Sequence, residues 1–136
     1  MRWRIAVCLS GLLAVLLTGC GGSGMLKTKG RIVKNGQPVP LGEEEYFRVL
    51  FVPVVEKGER MHDVYAANFN REDGTFQAAG KDGKGLPPGK YRIAVAHLRG
   101  KRDLLNNAFD ESKSPFVYDV DAKTEEIVID IAKPKG

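Results

Sequence analysis

The chain has 136 residues, of which 43% are hydrophobic and 28% charged, and its formal net charge is +4. This length supports one domain with short tails, and the 16 glycines and 7 prolines favour a turn-rich β protein. Because Arg2 and Arg4 fall in an N-terminal segment expected to be removed, the 21 basic residues drop to 19 against 17 acidic ones, a net charge of +2. This near balance, without basic residues interleaved with aromatics, argues against nucleic acid as a partner.

The N-terminus has the pattern of a secretory signal. Arg2 and Arg4 form a basic region, residues 5–17 form a nearly uninterrupted apolar run, and two small residues follow. A permanent membrane helix is the alternative, but it requires about 20 apolar residues and this run is shorter. We therefore predict a helical signal peptide over residues 1–19.

Cys20 is the only cysteine that would remain in the mature chain, since Cys8 lies inside the apolar run. A disulfide within the mature chain is thereby excluded, and no His follows within forty residues to complete a metal site. The flanking glycines also supply no base that would activate a nucleophile. An attachment point remains as the interpretation of Cys20.

The tetrapeptide Leu17-Thr18-Gly19-Cys20 resembles the lipobox of bacterial lipoproteins. The resemblance implies that the Cys20 thiol receives a diacylglycerol, that the signal is cut before it, and that the new amino group is acylated. Residues 20–27 would then be the lipidated cysteine and a flexible Gly-Ser tether. We expect the protein outside the cytoplasm, held by its lipid to a membrane facing the periplasm or at the cell surface.

The mature chain shows strand-sized blocks separated by turn signals. Apolar alternation and β-branched or aromatic residues predict seven strands: residues 28–34, 46–55, 62–70, 75–80, 90–98, 115–120 and 125–133. Between the fifth and sixth blocks, the stretch "RDLLNNAF" could form one or two helical turns, with Asp103 near their start. The spacing predicts an all-β fold over residues 28–133, a seven-stranded β-sandwich, with a small closed barrel as the alternative.

Three segments carry a resemblance to a known class of domain: "GRIVKNGQPVP", "REDGTFQ" and "GLPPGKYRIAVA". Together they resemble the carboxypeptidase regulatory-like and transthyretin-like domains over residues 29–131. The resemblance implies a Greek-key β-sandwich and a non-catalytic accessory module. One enzymatic branch, the 5-hydroxyisourate hydrolases, ends in Tyr-Arg-Gly-Ser and has an N-terminal histidine motif, whereas this chain ends in "IDIAKPKG" and its first histidine is His62.

The residues themselves offer few candidates for chemistry. His97 should close the core at the end of a strand, and His62 should be an exposed residue. Asp73 and Asp82 lie in Asp-Gly turns without the ligand spacing of a calcium loop. We therefore expect no enzyme activity, no cofactor and no metal site.

Two charged stretches suggest contact surfaces. The acidic run at residues 43–45 could meet cations or a basic partner, but a solvated loop is the more ordinary interpretation. The basic "RGKR" at residues 99–102 could contact anionic headgroups beside the anchor, although a solvated loop again explains it. The predicted function is structural or protein-binding at the membrane surface, and the alternative is a carbohydrate- or peptide-binding module that uses the sandwich loops. Either a protein or a glycan would then be the partner.

Overall fold

The computed structural model describes residues 24–58 and 63–132, and these form an all-β fold. No helix occurs in the described part of the chain, so none there is long and apolar enough to cross a membrane. The strands are β1 (Lys29–Lys34), β2 (Gln37–Pro38), β3 (Glu45–Pro53), β4 (Tyr65–Asn70), β5 (Thr75–Ala78), β6 (Gly89–Arg99), β7 (Arg102–Asp103), β8 (Val117–Val120) and β9 (Ile127–Asp130). Each of the seven predicted strands overlaps one of these, and the two additional strands, β2 and β7, have two residues each.

The strands pair into one sheet that curls around the core. Its order is β2-β1-β5-β4-β3-β6-β7, with β8 paired to β6 and β9 paired to β1. All of these pairs are antiparallel except β1 with β9, which run parallel. Residues of non-adjacent strands meet inside the curl: the rings of Phe51 on β3 and Phe76 on β5 lie 6.1 Å apart, edge to face.

The core follows from strand alternation. On β3 the residues from Glu45 onward alternate buried and less buried, and the buried aromatic and aliphatic ones join the core. The most deeply buried large side chains are Phe51, Phe76, Ile32, Leu86, Ile93, Ile129, Val49 and Val95. Burial of apolar side chains of this size contributes roughly 1.5–3 kcal/mol each, which makes them the main source of stability.

The connection between β6 and β8 covers the free edge of β6. The Val95 amide donates to the carbonyl of Phe109 at 2.9 Å, and the Ile93 amide donates to the carbonyl of Phe116 at 2.8 Å. The prediction of helical turns in this connection is wrong. Asn106 and Asn107 have φ of 52° and 60°, a left-handed conformation that a right-handed helix cannot accommodate.

The chain is attached to the domain two residues before the predicted boundary at Thr28. The amide of Leu26 donates to the carbonyl of Leu86 at 2.7 Å, and the amide of Leu86 donates back to Leu26 at 2.9 Å. Leu86 is fully buried, so this pair, which we call the Leu26 clip, ties the incoming chain to the core. Gly85 makes the close approach possible, because a Cβ there would lie 2.0 Å from the Leu26 carbonyl oxygen.

The strand directions define two ends of the domain. One end, which we call the tether end, lies near the Leu26 clip, and β1, β4, β6 and β9 all begin there. At the distal end these four strands finish and β3 begins. Since β6 has 11 residues, the ends are separated by roughly 30 Å.

We predict that Gly85→Ala destabilises the domain more than Gly83→Ala. Both glycines have positive φ, 101° and 69°, so each substitution has a conformational cost of about 1–2 kcal/mol. Only at position 85 does the new methyl group collide with the Leu26 backbone, which should add about 1–3 kcal/mol. Urea denaturation of the two variants measures the difference, and equal losses would show that the clip contributes nothing to stability.

Candidate functional site

A charged cluster closes the core at the distal end. Glu45 and Arg99 form the last cross-strand pair of β3 and β6 at this end. Phe47 and His97 form a pair two positions further in, with their side chains on the same face of the sheet. Glu45 Oε2 lies 2.8 Å from His97 Nε2, while Glu45 Oε1 accepts from Arg99 Nε at 3.1 Å and from a terminal guanidinium nitrogen. Both carboxylate oxygens are therefore occupied by cross-strand donors.

The cluster is largely shielded from water on one side. The side chains of Glu45 and His97 are only 8% and 12% exposed, whereas that of Arg99 is 60% exposed. The His97 ring packs at 4.7 Å from the ring of Phe47, which places it at the rim of the core as predicted. Because a carboxylate only accepts hydrogen bonds, the Nε2 of His97 carries a proton in this contact.

The pKa of Glu45 is lowered to about 2, first because Arg99 donates to its carboxylate. Hydrogen bonds from Gly42 and from His97 lower it further, and burial opposes them. An acid with such a low pKa is ionised at neutral pH and is not a general acid or base there. The arrangement is a structural ion pair that holds the ends of β3 and β6 together.

The neighbouring acidic run is also held by the fold. Arg71, in the turn after β4, donates to the carbonyls of Glu43 and Gly42, each at 2.7 Å. Of the run at residues 43–45, Glu43 and Glu44 are exposed, and only Glu45 is buried. The three adjacent glutamates therefore differ in their burial, and the sequence alone could not show this difference because their side chains are identical.

A groove runs along the outer face of β3 and β6 beside this cluster. Its floor is formed by two cross-strand pairs, Leu50 with Ala94 and Arg48 with Ala96. Residues 103–112 of the connection form the opposite wall, and the groove encloses about 410 Å³. The small alanine side chains leave the space that larger residues would fill.

Three polar side chains at the groove are free to bind a ligand. These are Arg48 on the floor and Asn107 and Glu111 on the wall. None of the three side chains has a hydrogen-bond or ion-pair partner among the described residues. Asp103 and Asp110 also line the groove, but their carboxylates accept hydrogen bonds from backbone amides of the wall. Besides these two hydrogen-bonded carboxylates, the groove thus offers one cation, one anion and one amide beside the apolar side chains of its floor.

The other candidates from the sequence have simpler structural roles. Asp73 accepts from the Thr75 hydroxyl at 2.6 Å and the Thr75 amide at 3.0 Å, a bonded turn that also lowers its pKa. Asp82 is exposed in the loop before β6. No group of three His, Cys, Asp or Glu suited to a metal ion occurs within residues 24–58 and 63–132.

The "RGKR" stretch lies at the distal end, between β6 and β7, and not beside the point where the chain enters the domain. Its contact with headgroups beside the anchor stays a prediction. Cys20 and His62 both lie outside the described residues. Their predicted roles, lipid attachment and an exposed position, stay predictions.

Sequence reasoning missed the groove and the partners of Glu45. Glu45 and Arg99 are 54 residues apart, and no local pattern links them. The only signal in the sequence was the pair Ala94 and Ala96, since two small residues alternating along a strand mark a face without bulk.

Comparisons with known proteins give no family assignment. No protein-family model matches this chain, and the searches of curated proteins and of solved structures returned no significant match.

We predict that Glu45→Gln lowers the free energy of unfolding at neutral pH and that exposed Glu44→Gln does not. The depressed pKa means that ionised Glu45 stabilises the fold fully above about pH 4.5 and that this contribution is lost as the pH falls toward about 2. The difference between wild type and Glu45→Gln should therefore shrink over that window. Urea denaturation at pH 7, 4.5 and 3 tests this, and a difference that is independent of pH would contradict the ion pair.

Proposed function

We propose that this chain is a lipid-anchored extracytoplasmic protein with a non-catalytic structural or protein-interaction role at a membrane surface. The observation that carries the proposal is the position of Cys20, directly after a basic and apolar leader and six residues before Leu26. The first hydrogen bonds to the domain among the described residues are those of Leu26, so few residues separate Cys20 from the described fold in the sequence. An acylated residue needs a position from which its lipid can reach a membrane, and a place in the sequence before the folded domain allows this.

The proposed fold is a Greek-key β-sandwich of the transthyretin-like or carboxypeptidase regulatory-like kind. The all-β strand content and the curled sheet with an aromatic core support it. The three motifs that carry the resemblance also fall on strands and the turns between them: β1 with β2, the turn before β5, and the loop leading into β6. Domains of this class act mostly as accessory modules, which agrees with the proposed role.

The charged cluster favours a non-catalytic role. Glu45, His97 and Arg99 are the described residues that most resemble an acid–base site, yet each is bound to another member of the cluster. A catalytic acid or base needs a pKa near the working pH and access to substrate, and Glu45 has neither. The cluster stabilises the distal end, where a partner would be met.

The groove supports peptide binding as a second candidate function. A peptide presents charged, amide and small apolar groups together, and Arg48, Glu111, Asn107 and the alanine floor complement all of these. A sugar ring would require an exposed aromatic platform, and Phe109, the aromatic residue of the groove, is only 6% exposed. Of the two ligands in the binding alternative, the geometry therefore favours a peptide over a carbohydrate.

We predict that Cys20→Ala abolishes lipid attachment and that Cys8→Ala does not. Cys8 belongs to the apolar run and Cys20 to the lipobox-like tetrapeptide, so the pair separates loss of a thiol from loss of the modification site. Cells expressing each variant would be fed a radiolabelled fatty acid, and the protein would be examined for label and for removal of the signal. Wild type and Cys8→Ala should be labelled and shortened, and Cys20→Ala should be neither. A Cys20→Ala protein that is shortened and labelled would contradict the proposed function.

The peptide alternative is tested by selecting peptides from a random library against the wild-type protein. Binding to the groove should fall at least tenfold in Arg48→Ala/Glu111→Ala and stay unchanged in Lys34→Ala/Glu44→Ala, a control pair of exposed charges at the distal end. Peptides that bind all three proteins equally would reject the groove as their site.

A further inference from the structure

The Leu26 clip determines which part of the domain is nearest to the proposed anchor. Residues 20–26 span at most about 20 Å even when fully extended, so Leu26 lies within that distance of the acylated cysteine. Because Leu26 is hydrogen-bonded to fully buried Leu86, the tether cannot lengthen without breaking the fold at this point. The loop that contains Leu86 is therefore held close to the bilayer.

This loop, residues 79–88, and the positions that flank it are rich in exposed lysines. Lys81 and Lys84 lie within it, Lys27 directly follows Leu26, and Lys90 follows the loop. Lys81 pairs with Asp63 at 2.9 Å, whereas the other three lysines have no ion-pair partner among the described residues. The loop itself contains one carboxylate, that of exposed Asp82. We call Lys27, Lys81, Lys84 and Lys90 the lysine rim.

The turn on the other side of Leu26 has the opposite charge, whereas the distal end carries exposed residues of both signs. On the other side of Leu26, the turn at residues 121–126 carries three carboxylates against one lysine. At the distal end, Glu43 and Glu44 are exposed, but so are Lys101 and Arg102, so the position of the tether and not net charge distinguishes this end from the lysine rim. An anionic surface near the tether would thus attract the lysine rim and repel the turn at residues 121–126. Each exposed lysine near such a surface adds to the attraction, which falls off within about 8–10 Å at physiological ionic strength.

We propose that the lysine rim rests on the anionic headgroups of the bilayer that holds the anchor, so that the domain stands with its distal end outward. This inference rests on the proposed lipid anchor at Cys20 and adds the surface that meets the membrane. The groove beside Arg48 and the Glu45 cluster then point away from the bilayer, toward a partner.

The experiment places one fluorescent label at either end of the full, acylated protein. Acylation occupies the Cys20 thiol and the signal carries Cys8 away, so an introduced cysteine is the sole free thiol. Lys84→Cys reports on the lysine rim and Lys101→Cys, on the turn between β6 and β7, reports on the distal end. Each labelled protein is reconstituted into phosphatidylethanolamine vesicles containing phosphatidylglycerol and a headgroup-attached quencher.

The label at position 84 should be quenched at least threefold more strongly than the label at position 101. Replacing phosphatidylglycerol by phosphatidylcholine should reduce this ratio. With the label kept at position 84, Lys27→Glu/Lys90→Glu should also reduce its quenching, whereas Lys34→Glu/Lys101→Glu, the distal control, should not. Equal quenching at both positions, or stronger quenching at position 101, would overturn the proposed orientation.

Flotation of the same vesicles separates the two possible failures. If the protein floats with the vesicles and the labels are quenched equally, the orientation is wrong and the anchor stands. If the protein does not float and carries no acyl group, the proposed function is wrong, and the proposed orientation is then wrong as well.

Discussion

The pairing of β3 with β6 is the constraint on which the rest of the structure depends. The two strands run antiparallel through nine residue pairs, from Glu45 opposite Arg99 to Pro53 opposite Tyr91. One face of this ladder supplies Phe51, Ile93 and Val95 to the core. The other face forms the floor of the groove.

A shift of this register by one residue would reverse every side chain of one strand. On β3, the charged Arg48 would turn toward the core and aromatic Phe47 would turn to solvent. The ionic pair at the distal end helps to prevent this, because Glu45 reaches Arg99 and His97 only in the observed register. The same interaction therefore selects the register, closes the core and shapes the surface beside it.

The sheet places the entry of the chain and the groove at different parts of the domain. The chain enters at one end through Leu26, and the ion cluster and the groove lie toward the other, with β6 running between them. In the proposed arrangement, this separation keeps the membrane from competing with a partner for the same charged residues. In the same proposed arrangement a short tether would suffice, since the length of β6 would supply the distance from the bilayer.

The all-β class and the positions of the strands were predictable because their signals are local. The candidate site was not, because its contacts join residues that are far apart in the sequence. Alternation along residues 90–98 and the apolar run after Glu45 were enough to place β6 and β3, and His97 lies at the core rim as expected. The prediction of helical turns after Asp103 was wrong. The Asp103 carboxylate accepts hydrogen bonds from the amides of Leu105 and Asn107 and stabilises a non-helical turn. The clip between Leu26 and Leu86 and the ion pair between Glu45 and Arg99 join residues 60 and 54 positions apart, and such contacts follow only from the assembled sheet.

The proposed lipid anchor requires that the mature chain begins at an acylated Cys20. The most direct test is the intact mass of the protein extracted from membranes, with fragmentation of its N-terminal peptide. The account predicts the mass of residues 20–136 plus a diacylglycerol and an amide-linked fatty acid, with all the added mass on Cys20. An unmodified mass, or a mature N-terminus at any other residue, would contradict it.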